Sequence, residues 1–145
     1  MRAFIPNALV RWSLIVVGSF NALSALGGGI GLLTPGSMGI PLYIIDGSVF
    51  SDFTWPAIIL IVVIGGTQAL AVVAELRRAR SARFWAALAG FALLIWIFVE
   101  LAIMGGYSIL HGIYFVTGLL QLILVFALLD VLPGVVRPAR VPQSS

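Results

Sequence analysis

The sequence predicts an all-α membrane fold: a four-helix bundle with both ends in the cytoplasm and a long apolar outer loop between its first two helices. Three observations carry that prediction. The 145 residues are 61% hydrophobic and only 9% charged, against roughly 25% charge in a soluble domain. With a mean hydropathy of +1.17, a chain this short has no interior large enough to hide its apolar side chains from water. Four apolar runs also reach the ~20 residues that a ~30 Å hydrocarbon core requires at about 1.5 Å per residue. The third observation is that all eight basic residues are arginines, grouped beside those runs.

The runs cover about residues 9–33, 55–74, 84–104 and 108–129. None has proline in its interior, and only the third carries a charged residue at depth, Glu100. The first run follows Arg2 and Arg11 and contains the small pair Ser24-Ala25, as a cleavable leader would. It is longer than the 7–15 apolar residues of such a leader, so it reads as a retained span.

The first connection, residues 34–54, holds Pro35, Gly36, Gly39, Pro41 and an Asp46-Gly47 turn signal. It is nevertheless rich in Ile40, Leu42, Tyr43, Ile44, Ile45, Val49, Phe50 and Phe53. A loop that apolar is expected to lie on the outer membrane surface or to fold over the bundle as a cap. Asp52 or Thr54 can cap the second helix, with Pro56 tolerated in its first turn. The second connection, residues 75–83, reads ELRRARSAR, and the third is a tight Gly105-Gly106-Tyr107 turn. Residues 132–145, with Pro133, Pro138 and Pro142, are expected to form a flexible cytoplasmic tail of this single 145-residue transmembrane domain.

Orientation follows from arginine. Arg2 and Arg11 precede the first run, Arg77, Arg78, Arg80 and Arg83 separate the second from the third, and Arg137 and Arg140 follow the fourth. Four spans put all three clusters on one side, which the positive-inside rule makes the cytoplasm of a plasma (inner) membrane protein. Trp12, Trp55, Phe84 and Trp85 mark run edges, as interfacial rings do. Arginines at helix ends suit anionic lipid rather than a nucleic-acid groove, so the expected partners are membrane lipids and, for assembly, a homo-oligomer or larger membrane complex. The absence of cysteine excludes thiol chemistry and thiolate metal sites. No cofactor is predicted.

The candidate functional residues are the polar groups within the runs. A buried carboxylate costs roughly 2.5–3.5 kcal/mol on insertion scales, so Glu100 needs a reason to be there. It lies ~24 Å along the third helix from Phe84. His111 begins the fourth helix just beyond the turn, so a Glu100–His111 contact across the hairpin is natural, with Tyr107 and Tyr114 in reach. Trp96 stands one turn before Glu100 on the same face. His111, Tyr114, Gly118, Gln121 and Val125 form one stripe of the fourth helix. Two readings remain for Glu100 and His111: a pair lining an outward cavity for a cation, quinone-like head or lipid head, or a clasp joining two helices. Gln68 and Gln121 fall at matching depth and Asn21 near mid-helix. Interhelical amide hydrogen bonds are their simplest role, a transport path the alternative.

Gly27, Gly28, Gly29 and Gly31 thin the first helix for close packing or end it early. Gly65-Gly66 reads as a packing notch. Arg11…Gly18 and Arg83…Gly90 share a spacing, as do Gly65…Gln68 and Gly118…Gln121, a pattern that two parallel repeats would leave. No Ser/His/Asp set and no three metal ligands are apparent.

The stretch PLYIIDGSVFSDFTWPAIIL, the IVVIGG segment and WIFVELAIMGGYSILHGIYFVTGLL resemble uncharacterised small membrane proteins of GC-rich, actinobacterial-type bacteria. Gly47-Ser48, Phe50-Ser51-Asp52, Pro56 and the Trp96…Glu100 pair carry the likeness, and size and layout are loosely DoxX-like. The resemblance implies four spans and a plasma-membrane location, and no activity. Similar sequences have Gln at the place of His111, which leaves Glu100 the stronger candidate. The expected role is a non-enzymatic accessory subunit or a lipid- or quinone-binding bundle. The alternatives are a small oligomeric transporter or channel using Glu100, or a lipid-modifying enzyme.

Overall fold

The computed structural model describes residues 5–129; Arg2, Arg137, Arg140 and the expected tail at 132–145 lie outside them. Four helices make up the bundle: α1 (Asn7–Leu33), α2 (Thr54–Leu76), α3 (Ala82–Met104) and α4 (Ile109–Leu128). Each is long and apolar enough to cross a membrane, and no strand longer than an isolated bridge occurs among the described residues. All their ends fall within two residues of the runs read from sequence, α2 and α3 each reaching two residues further into the arginine loop. Glu75, assigned above to that loop, is therefore in the last turn of α2 and only 3% exposed.

Apolar residues run round every helix. Val16 and Leu23 of α1, Ile95 and Phe98 of α3, and Val116 of α4 point outward as fully as the core residues point inward. A helix apolar on all faces has lipid or protein on all faces. Inside, the chain uses small residues to bring backbones together. A Cβ on Gly29 would strike Ile61 and come within 3.0 Å of the Ala57 carbonyl, so α1 meets α2 at a contact only glycine permits. Gly90 of α3 and Gly118 of α4 pack against leucines of each other's helix in the same manner. The glycines near the end of α1 thin it and do not stop it, since the helix runs on to Leu33.

α2 has two parts with a wide-turned π segment, Ile59–Gly65, between them. The loop before it folds over the bundle, the second of the two expected arrangements. Gly36, Ser37, Met38 and Gly39 all have positive φ, and Ser37 at +45° and Met38 at +56° do so without glycine's freedom. This turn lays Met38 against Gly31, and Ile45 and Phe53 then bury beneath the cap. Asp52 accepts the Thr54 N–H at 2.8 Å and so satisfies the start of α2. At the far end of α3, Gly105 adopts φ +59° and turns the chain into α4. The first and last described helical turns pack together through Val10 and Ala127, so the described chain starts and finishes at the arginine-bearing end, opposite the cap.

Candidate functional site

The polar residues singled out above divide into two sets at Asn21. On the arginine side the helices close. Gln121, 0% exposed, donates to the Ala86 carbonyl at 2.9 Å and accepts from Asn21 Nδ2 at 3.2 Å. Thr117 donates to Asn21 Oδ1 at 2.8 Å, so α1, α3 and α4 are joined at one level. Gln68, also 0% exposed, donates to the Ala89 carbonyl at 3.3 Å, while its Oε1 has no partner. Around these groups Leu14, Ala71, Ala86, Ala89 and Val125 form a tight core.

On the cap side the helices part and leave a cavity of about 460 Å³, well within the range of small-molecule sites. Asn21 and Ser24 lie toward its floor; Leu60, Ile64, Leu93 and Ile97 line its apolar walls; Ile44, Ile45 and Phe53 of the cap roof it. The π segment supplies Leu60 and Ile64, as such wide turns often do at functional sites. Trp96, Glu100, His111 and Tyr114 also line this one cavity. Gln68 and Gln121 do not reach it.

The polar corner is built by the α3–α4 hairpin. Ser108 caps α4 reciprocally with His111. The Ser108 backbone N–H, which can only donate, lies 3.1 Å from His111 Nδ1. Nδ1 is therefore the acceptor, and the proton of the neutral ring sits on Nε2. That Nε2 is 3.7 Å from Glu100 Oε2, longer than a direct hydrogen bond, so a bridging polar atom fits between them. Trp96 is 6% exposed, and its indole N–H stands near the Glu100 carboxyl without completing a hydrogen bond to it. Tyr114 stacks on Phe20 at 6.2 Å between ring centres, and the Tyr107 ring lies 6.4 Å from that of His111.

This corner presents two N–H donors, Trp96 Nε1 and His111 Nε2, beside one carboxyl acceptor. It suits a head group with both an acceptor and a donor, attached to an apolar body. The Ser108 hydroxyl, 2.8 Å from His111 Nδ1, completes a Ser–His–Glu series, but it shares that ring nitrogen with the Ser108 backbone N–H and serves the cap of α4; among the described residues no three His, Cys, Asp or Glu side chains converge to hold a metal. Sequence reasoning missed Ser108 and Thr117, and it expected the cap without saying which of its residues face the cavity. Both missed residues left signals: a Ser three residues before His111 is an N-cap pattern, and Thr117 precedes Gln121 by one helical turn. The cap's contacts had none. Comparison of the chain with protein-family models, curated proteins and solved structures finds no match.

Proposed function

We propose that this protein is a non-enzymatic membrane binding protein, an accessory bundle that takes an amphipathic, membrane-borne ligand of quinone or lipid type. The head group sits among Trp96, Glu100 and His111, and the apolar body fills the cavity toward Asn21. The observation that carries this reading is the buried Trp96 N–H, which completes no hydrogen bond, at the polar corner of a mostly apolar cavity. A buried donor with no acceptor costs about 1–3 kcal/mol, and a ligand carbonyl or phosphoryl oxygen would supply that acceptor. Passage through a single bundle is the weaker reading, because this cavity and the one at the arginine end share no lining residue.

The same reading puts the cap outside a plasma membrane and the arginine-bearing end in the cytoplasm. Arg80→Cys tests it in this naturally cysteine-free chain. The thiol reacts with an impermeant maleimide only after cells are opened, and labelling of intact cells would invert the orientation.

For the ligand, tryptophan fluorescence is titrated with decyl-ubiquinone and, separately, with a brominated phospholipid. One of the two is expected to quench saturably, with the difference between wild type and Trp96→Phe assigning the signal. Glu100→Gln then weakens the titration several-fold. Absence of any Trp96-dependent quenching by either probe sinks the proposal.

A further inference from the structure

A second cavity, of about 280 Å³, opens at the arginine-bearing end between α1, the α2–α3 turn and the last turn of α4. Arg11, Arg78 and Arg83 line it with a single acid, Glu75, and Leu128 lies at its edge. Arg11 is engaged: its Nε donates to the Glu75 carbonyl at 3.2 Å and lies 3.8 Å from Glu75 Oε2. Arg78 and Arg83 have no such pairing among the described residues, and Arg83 Nε is buried without an acceptor. Arg78 is also held at φ +52°, a left-handed position that glycine would take at less cost, so the turn carries a guanidinium there against local preference. Glu75 is 3% exposed, yet its Oε1 has no donor. Arg83 lies near enough for its charge to act on Glu75, yet Arg83 Nε and Glu75 Oε1 are both buried without a hydrogen-bond partner.

We infer that this cavity is a phospholipid headgroup site, independent of the capped cavity. The phosphate sits on Arg78 and Arg83, and an ammonium or hydroxyl of the headgroup donates to Glu75 Oε1. Guanidinium forks match phosphate oxygens in geometry and charge. The position at the end of the apolar spans, with Leu128 alongside, leaves the acyl chains in hydrocarbon. A choline headgroup has a phosphate but no N–H or O–H to donate, so the site discriminates against it.

The full-length protein in detergent is titrated with phosphatidylethanolamine, phosphatidylglycerol and phosphatidylcholine, with bound lipid read by native mass spectrometry and melting temperature in parallel. The first two lipids are expected to bind and stabilise, phosphatidylcholine at least about tenfold more weakly, since it alone cannot make the charge-assisted hydrogen bond to Glu75. Arg78→Gln/Arg83→Gln abolishes this binding. Arg77→Gln/Arg80→Gln removes the same charge outside the cavity and preserves it. Equal binding of all three lipids, or equal loss in both double variants, overturns the site in favour of general surface attraction. Stabilisation by inorganic phosphate alone, matching that by lipid, overturns the lipid source. Asp130 follows this end of α4 in the chain. If Asp130→Asn destabilises the lipid-free protein as much as the Arg78/Arg83 variant and lipid adds nothing to wild type, the arginines serve that carboxylate and the site is refuted.

Discussion

Between Asn21 and the arginine-bearing end the four helices close on one another; between Asn21 and the cap they part. The polar groups of the two halves differ accordingly. Gln121 has every buried group engaged across helices, whereas Trp96, nearly as buried, engages none. The difference lies in the neighbours. Ala71, Ala86 and Ala89, with Gly18 nearby, let backbones approach until an amide on one helix reaches a carbonyl on the next. On the other side Leu60, Ile64, Leu93 and Ile97 hold the walls apart. In this bundle the Asn21–Gln121–Thr117 set is a clasp where neighbours are small, and Trp96 goes without a hydrogen bond where they are bulky.

The largest effect expected within this comparison is that of Gln121→Leu. It strands Asn21 Nδ2 and removes the second donor to the Ala86 carbonyl, and should lower unfolding free energy by about 2 kcal/mol, measured by steric trapping or denaturant titration in detergent. Gln68→Leu gives up one long hydrogen bond and removes an unpartnered oxygen, so its cost should stay below about 0.5 kcal/mol. Equal costs would break the clasp reading. Next comes Gly29→Val, which must push α2 away from α1 against the Ala57 carbonyl. Overpacking of this kind costs about 2 kcal/mol, and a melting temperature unchanged from wild type would show that the contact yields.

Trp96→Phe separates the two halves in the opposite sense. Folding stability should be unchanged or rise by up to about 1 kcal/mol, because an unpaired buried donor is removed. Affinity for the proposed ligand should fall about fivefold, the value of one hydrogen bond, read by native mass spectrometry. Loss of stability without loss of affinity would make Trp96 a packing residue. The smallest effect concerns Asp52, which the Thr54 N–H and hydroxyl hold below its ordinary value of 3.8. Its folded value is depressed, so its cap stabilises fully above the ordinary carboxylate range and is lost as pH falls through the folded value. Asp52→Asn should flatten that acid limb of a melting-temperature profile and leave neutral pH little changed.

Particular residues mark how far reading the chain could reach. The α3–α4 hairpin was legible because Glu100, Gly105-Gly106 and His111 are near in sequence, and a short turn leaves little freedom in how they meet. The cavity was not. Its roof comes from Ile44, Ile45 and Phe53, and its wall from Leu60 and Ile64, residues whose apolar character says only that they avoid water. Glu75 was assigned to the loop because its neighbours Arg77 and Arg78 are polar. Its burial depends on Arg11, 64 positions earlier in the chain, folding back to meet it.

The amino-acid sequence by itself determined four apolar helices, their lengths and the grouping of arginine at one end, because hydrocarbon thickness and the cost of burying charge act on each segment alone. Only the tertiary structure decided which half of the bundle is tight and which is hollow. That outcome turns on how glycines, alanines and branched side chains of different helices meet, and such contacts are a property of pairs of segments rather than of either one.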